Sequence, residues 1–266
     1  MSRTPDALRI YRKSPLIRKG SFCLVCSTLL DQIPGLAYGF FTRHGGISRG
    51  YYKSLNVAYS VGDDPENVSR NIEFIRKFLG FKSIVWGRQV HGTKIVFVND
   101  EKKWHYPEAD AFIVKSAGVG IMIKTGDCQA ILIVDPELKI TAAVHCGWRG
   151  SVKNIVEKVV NMLCLEFGSK PANLVAAVGP SLGPCCAEFV NFKRELPKPF
   201  WKYQVRPKFF DFWAITKNQL IQAGLTSENI DITGWCTFCN PDLFFSYRRR
   251  KKSGRMAAVI GFRNIA

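Results

Sequence analysis

The stretch Val119–Gly150, VGIMIKTGDCQAILIVDPELKITAAVHCGWRG, constrains the fold more than any other part of the chain. It contains three short apolar runs rich in Ile and Val, over 119–124, 129–134 and 139–144. TGDC and DPEL separate them, and both are favourable turn sequences. Short strands joined by short turns predict an antiparallel meander. A second hairpin folded about Pro136–Glu137 pairs Val134 with Lys139, Ile133 with Ile140, and Cys128 with His145. Cross-strand Cβ atoms lie about 4.5–5.5 Å apart. One thiolate and one imidazole at that separation can share an ion whose bonds are about 2.0–2.3 Å.

The remaining chain supplies helices and further strands in an α/β order. VGDDPENVSRNIEFIRKFLG predicts a helix capped by Asp64, with Pro65 in its first turn and Gly80 closing it. Its apolar residues Val68, Ile72, Ile75 and Leu79 recur with helical spacing. SFCLVCSTLL, LAYGFFT, the two halves of SIVWGRQVHGTKIVFVND, Ala172–Gly179 and MAAVIGFRNI read as strands, and DFWAITKNQLIQAGL as a helix. After His145, CGWRG leads into SVKNIVEKVVNMLCLEFG, an amphipathic helix for which Ser151 is the expected N-cap. A strand, a glycine turn and a helix start predict an anion-binding turn, with Arg149 adding a fixed charge. No linker divides the sequence, so the expected organisation is a basic arm over 1–20 and one α/β domain over 21–266.

Charge and cysteine usage narrow the function classes. A net charge of +17 implies attraction to anions. The excess gathers near the ends, at Arg3, Arg9, Arg12, Lys13, Arg18 and Lys19, and at Arg248–Lys252 with Arg255. No nucleic-acid-binding motif accompanies it, which argues against a nucleic-acid partner. No apolar run approaches the length of a membrane span. Ser21–Leu30 is too polar and too deep for a cleaved signal peptide. Nine cysteines at irregular spacing do not make a disulfide scaffold, and a cytoplasmic location is expected. The two C-x-x-C pairs, Cys23/Cys26 and Cys236/Cys239, are too far apart for a zinc ribbon. Adjacent Cys185 and Cys186 read as core packing.

His91, beside Gly92 at a strand break, is on its own either a structural histidine or a ligand. Taken with Cys128 and His145 it completes three donors at strand ends, leaving a fourth metal position for water or substrate. Asp127 is placed to orient His145 or to act as a base. Arg43, Arg149 and Arg248 can hold an anionic co-substrate. Two other readings use the same residues: Cys128 as a thiol nucleophile with His145 as its base, or a buried free cysteine beside two structural histidines.

The motifs RQVHGTKI, EADAFIVK, GVGIMIKTGDC, AAVHCGWRG, VGPSLGPCC, CTFCNP and FFSYRRR occur in fixed order from about Gly35 onward. They resemble the YfiH/laccase-domain family, named multicopper polyphenol oxidase. That resemblance implies a four-layered α/β/β/α sandwich, related to the deamidase domain of cytotoxic necrotising factor. It implies metal ligands at His91, Cys128 and His145, with zinc the expected metal and copper the lesser alternative. It implies phosphorolysis of adenosine, inosine, guanosine and methylthioadenosine, with adenosine deamination as a side activity. Arg43, Arg149 and Arg248 then become candidates for phosphate or substrate contacts in a chain expected to be monomeric. Peptidoglycan-precursor editing is a further activity associated with bacterial relatives. Here TGDC and HCGWRG stand where the family has TADC and HAGWRG, and Arg250 occupies a place often acidic. Phenol oxidation of the laccase kind needs a copper cluster with about eight histidine ligands among its donors. This chain has four histidines.

Overall fold

A strand that is apolar at every position must be covered on both faces, and the central strands of this protein are. The computed structural model describes residues 11–98 and 106–264. Arg3 and Arg9 of the basic arm, and the histidine His105, lie outside the described residues.

In chain order the first strands are β1 (Leu16–Lys19), β2 (Phe22–Val25), β3 (Leu36–Phe41), β4 (Ser83–Val85), β5 (Ile95–Val98) and β6 (Ala111–Val114). They continue with β7 (Val119–Thr125), β8 (Gln129–Asp135), β9 (Ile140–Cys146) and β10 (Val175–Val178). The last are β11 (Gln204–Arg206), β12 (Phe209–Phe210), β13 (Ile230–Ile232) and β14 (Met256–Phe262). The α-helices are α1 (Pro65–Leu79), α2 (Trp148–Val152), α3 (Ile155–Phe167), α4 (Phe192–Glu195) and α5 (Phe212–Gln222).

Two mixed sheets stack face to face. One has the order β1-β2-β3-β14-β7-β4 and the other β13-β10-β8-β9-β6-β5, while β11 and β12 form a separate small pair. Alternation along each strand divides the core into layers. Ile121 and Ile123 of β7 meet Leu132 and Val134 of β8 between the sheets. Met122 points the other way, into a cluster with Val68, Ile72, Ile75 and Leu79 of α1. Ile131 and Ile133 of β8 pack with Ile155, Val159 and Leu163 of α3 and Leu220 of α5. Each such side chain, fully buried, is worth about 1.5–3 kcal/mol. The outcome is the expected α/β/β/α sandwich.

Helix α1 forms as its sequence dictates: the Asp64 side chain accepts from the Glu66 amide, and Gly80 closes the helix at φ 76°. Three other expectations are corrected. β7 lies in one sheet and β8 in the other, so TGDC carries the chain between layers and the meander reduces to the β8–β9 hairpin. That hairpin pairs Ala130 with His145 and Asp135 with Ile140, two residues out of the expected register. The four residues 136–139 form its loop, with Lys139 at φ 53°, whereas a tight turn about Pro136–Glu137 was expected. Finally, the long helix after β9 starts at Asn154, whose side chain accepts from the Glu157 amide. Ser151 is not its cap. It lies inside the five-residue α2, which stands between β9 and α3 in the chain.

Candidate metal centre and active site

Three strand-end segments converge at the end of the central β8–β9 pair of the second sheet. His145 is the penultimate residue of β9, Cys128 immediately precedes β8, and His91 sits in the connection between β4 and β5. The Cys128 Sγ and His91 Nε2 atoms are 3.9 Å apart. The rings of His91 and His145 meet edge to face at 4.9 Å. One ligand atom from each of the three residues lies within 4.8 Å of the others. Tetrahedral bonds of about 2.0–2.3 Å place neighbouring donors about 3.5 Å apart, so the set is pre-gathered around a zinc-sized space.

The acid that orients His145 is Asp110, not Asp127. Asp110 is fully buried, at the start of β6. Its Oδ1 accepts from His145 Nδ1 at 2.7 Å and from the His91 amide at 3.0 Å. Its Oδ2 accepts from the Gly92 amide at 2.7 Å and the Val90 amide at 3.2 Å. One carboxylate therefore fixes the tautomer of one ligand and the backbone carrying another, leaving His145 Nε2 free to bind a metal. Its sequence signal is a lone acid opening the apolar run ADAFIV, where burial without partners would be costly. Burial alone would raise the Asp110 pKa. The His145 hydrogen bond and the backbone amides outweigh it and hold the carboxyl below its usual range.

Burial likewise opposes charge on Cys128, but the imidazolium of His145 and the hydrogen bonds from both histidines bring the thiol down to about 6. Against its own burial, His145 is raised to about 9 by the Cys128 thiolate and Asp110. Without metal, the pair is a thiolate–imidazolium at neutral pH.

Gly147 completes the cradle. A Cβ there would lie 3.0 Å from Cys128 Sγ and 3.0 Å from His91 Cδ2. Its φ of −77° suits any residue, so close approach rather than backbone freedom requires glycine.

The donors open into a cavity of about 1150 Å³, walled in part by Trp148, Phe189, Phe212 and Tyr247 and by the cations Arg88, Lys124, Arg248, Lys251 and Arg255. Of the three arginines expected to hold an anion, only Arg248 reaches this wall. Its amide donates to Asp127 Oδ2 and its Nη2 to the Glu188 carbonyl. Asp127 also lines the cavity, and its Oδ1 accepts from Thr237 Oγ1 at 2.6 Å. Arg43 points elsewhere, donating to the carbonyls of Lys53 and Pro241 and covering the Phe245 ring. Arg149 is exposed and stacks on Trp148 at 4.3 Å. In their place stands Lys124, the one charged residue within apolar β7. Its Nζ donates to Gly87 O and Tyr106 Oη, both uncharged acceptors, and burial lowers its pKa to about 8.

The multi-copper polyphenol oxidoreductase laccase family matches residues 37–263 of this sequence. The chain belongs to that family. It is 32% identical over 249 residues to purine nucleoside phosphorylase YlmD of Geobacillus stearothermophilus, covering 86% of this chain and 91% of the relative. It is 32% identical over 238 residues to purine nucleoside phosphorylase YfiH of Escherichia coli, covering 86% and 95%. The structure of Bacillus licheniformis YfiH superposes with a TM-score of 0.83 at 26% identity, covering 94% of this chain and 99% of that one. YlmD of G. stearothermophilus superposes with a TM-score of 0.82 at 29% identity. The laccase name sits poorly with the site. Of the four histidines, His91 and His145 are in it, whereas His44 bonds the Asp242 carbonyl in another part of the fold. No helix among the described residues is long and apolar enough to cross a membrane.

Proposed function

We propose that this protein is a zinc-dependent purine nucleoside phosphorylase, acting on adenosine, inosine, guanosine and methylthioadenosine, with adenosine deamination as a side activity. The observation that carries the proposal is the opening of three protein donors, two imidazoles and a thiolate, into a cavity that combines aromatic walls with several positively charged side chains. The names of the relatives agree with it. Two nitrogens and one sulfur suit zinc and leave a position for substrate. When bound, the zinc would supply Lewis-acid polarisation of a substrate atom.

The chain's own residues account for the rest. In phosphorolysis a phosphate oxygen forms the bond to C1′ of the ribose as the C1′–N9 bond breaks. The electron pair leaves with the purine, which takes up a proton. Lys124 and Arg248 lie on the wall where the incoming phosphate needs neutralising, and Arg255 adds charge from a half-buried position. Because Lys124 is largely desolvated, its attraction for an anion exceeds that of a surface lysine. Phe189 and Phe212, 5.1 Å apart, together with Trp148 offer faces for a planar base. Asp127 fixes the Arg248 backbone through one oxygen and Thr237 through the other, which places it as a positioning residue. Adenosine deamination needs the C6 amino group, instead of C1′, turned towards the same donors, with water replacing phosphate.

The test is hypoxanthine release from inosine by zinc-loaded protein, with and without phosphate. Phosphate-dependent release that is lost in Cys128→Ser supports the reading. No release with metal bound at the three donors refutes it.

A further inference from the structure

A second cluster of metal-binding side chains lies outside the site just described. The C-x-x-C pair Cys236/Cys239 meets the adjacent Cys185 and Cys186, and the four Sγ atoms lie within 4.8 Å of one another. The core-packing expectation for Cys185 and Cys186 rests on the rarity with which adjacent cysteines chelate one ion together, and it misses this cluster. Here they lie in a turn: the amides of Cys186 and Ala187 both donate to the Gly183 carbonyl, and that curvature brings both sulfurs to one side. Cys239 Sγ is 3.5 Å from Cys185 Sγ and 3.4 Å from Cys186 Sγ. Zn–S bonds of about 2.3 Å in a tetrahedron separate sulfurs by about 3.8 Å.

We propose that Cys185, Cys186, Cys236 and Cys239 bind a structural zinc ion that ties together two segments of the cavity wall. Four sulfur donors make a closed tetrahedral set with no position for substrate, which distinguishes it from the centre at His91, Cys128 and His145. The surroundings suit a metal thiolate centre. The Gly183 amide donates to Cys236 Sγ at 3.3 Å, a bond of the kind that holds ligating sulfurs in place. Gly183 also permits the approach, since a Cβ there would stand 3.1 Å from Cys236 Cβ. A zinc with four thiolates carries two negative charges, and two arginines stand against its loops. Arg206 donates to the Cys185 carbonyl, and Arg249 donates to the carbonyls of Thr237 and Phe238.

The two loops are already stitched by backbone bonds, from Ser181 N to Trp235 O and from Thr237 N to Ser181 O. Leu182, Ala187 and Phe189 flank the first loop and line the cavity. Thr237, within the second, bonds Asp127. Zinc here cross-links positions some fifty residues apart directly beneath the active-site wall.

Zinc content of the purified full chain decides the matter, read with the spectrum of the cobalt-substituted protein. The proposal expects two zinc ions per chain, falling to one in Cys236→Ser and to one in Cys128→Ser. It also expects tetrathiolate cobalt bands that persist in Cys128→Ser. That second measurement stands even if Cys236→Ser does not fold, and neither readout depends on enzymatic activity. A single zinc in the wild type that is lost in Cys128→Ser overturns the proposal, as does zinc content unchanged in folded Cys236→Ser. So does a thiol titration of the denatured, unreduced protein that finds fewer than the nine thiols of the sequence because members of this cluster are oxidised.

Discussion

Replacing Asp110 with Asn keeps the shape of the side chain and removes its charge. Every acceptor site of the carboxylate that matters is in use: Oδ1 serves His145 Nδ1 and the His91 amide, and Oδ2 serves the amides of Val90 and Gly92. An Asn that keeps its oxygen towards His145 turns its NH₂ group towards two backbone donors. Two hydrogen bonds are then lost and two half-buried backbone donors are left facing the NH₂ group, each costing about 1–3 kcal/mol. Asp110→Asn should therefore lose about 2–6 kcal/mol of stability. It should also weaken metal binding, because a neutral amide holds the His145 tautomer less firmly and leaves Nε2 less basic. Loss of such a partner typically costs about 10–100-fold in metal affinity, or about 1.4–2.7 kcal/mol. The assay is a cobalt titration followed through the bands of the site with two nitrogens and one sulfur, alongside thermal unfolding with and without metal. An affinity within twofold of the parent, in a variant that melts at the parent temperature, would refute the orienting role of Asp110.

Gly147→Ala should keep the fold, since its backbone angles suit alanine. Its methyl group presses on Cys128 and His91, and the overpacking should cost about 1–3 kcal/mol in affinity at the metal centre; unchanged binding would count against the cradle. In metal-free protein, alkylation of Cys128 followed by peptide mapping should be fast at neutral pH, because the thiol is held at about 6. Its rate should fall as pH drops through 6, where the thiolate is protonated, and stay level above it; bound zinc should suppress it throughout. Lys124 loses its charge as pH rises through about 8, so the KM for phosphate should climb above that pH. Lys124→Met should raise KM about 10-fold or more at pH 7 and flatten the dependence, as removal of a desolvated cation implies. A parent-like profile would take Lys124 out of phosphate binding.

Much of this architecture is legible in the sequence, and the gaps have physical causes. Helix α1 announces itself because its signals are local, with Asp64, Pro65 and Gly80 bracketing an amphipathic run. The three donors stand out because each ends an apolar run at a glycine-containing turn. Strands buried on both faces carry no mark of which sheet they join, so β7 and β8 look like neighbours in one meander when they belong to opposite layers. The hairpin register misses by two because DPEL can be read as a tight turn, whereas the chain loops through four residues. Arg43 and Arg149 look like anion ligands by type, but whether a guanidinium turns to a cavity or to nearby carbonyls depends on tertiary packing. Asp110 and the four-cysteine cluster share the same obscurity: their partners lie 35 residues away for His145 and 53 for Cys186 and Cys239. Only folding brings such residues together.

The central claim is that the cavity beside His91, Cys128 and His145 transfers ribose from a purine base to phosphate. Phosphorus NMR of zinc-loaded protein with inosine and inorganic phosphate tests it most directly. The account predicts a new ribose 1-phosphate resonance growing in step with hypoxanthine, absent in Cys128→Ser and restored to no extent by added copper. Hypoxanthine and free ribose without the phosphate ester, or no turnover at all by metal-loaded protein, would contradict it.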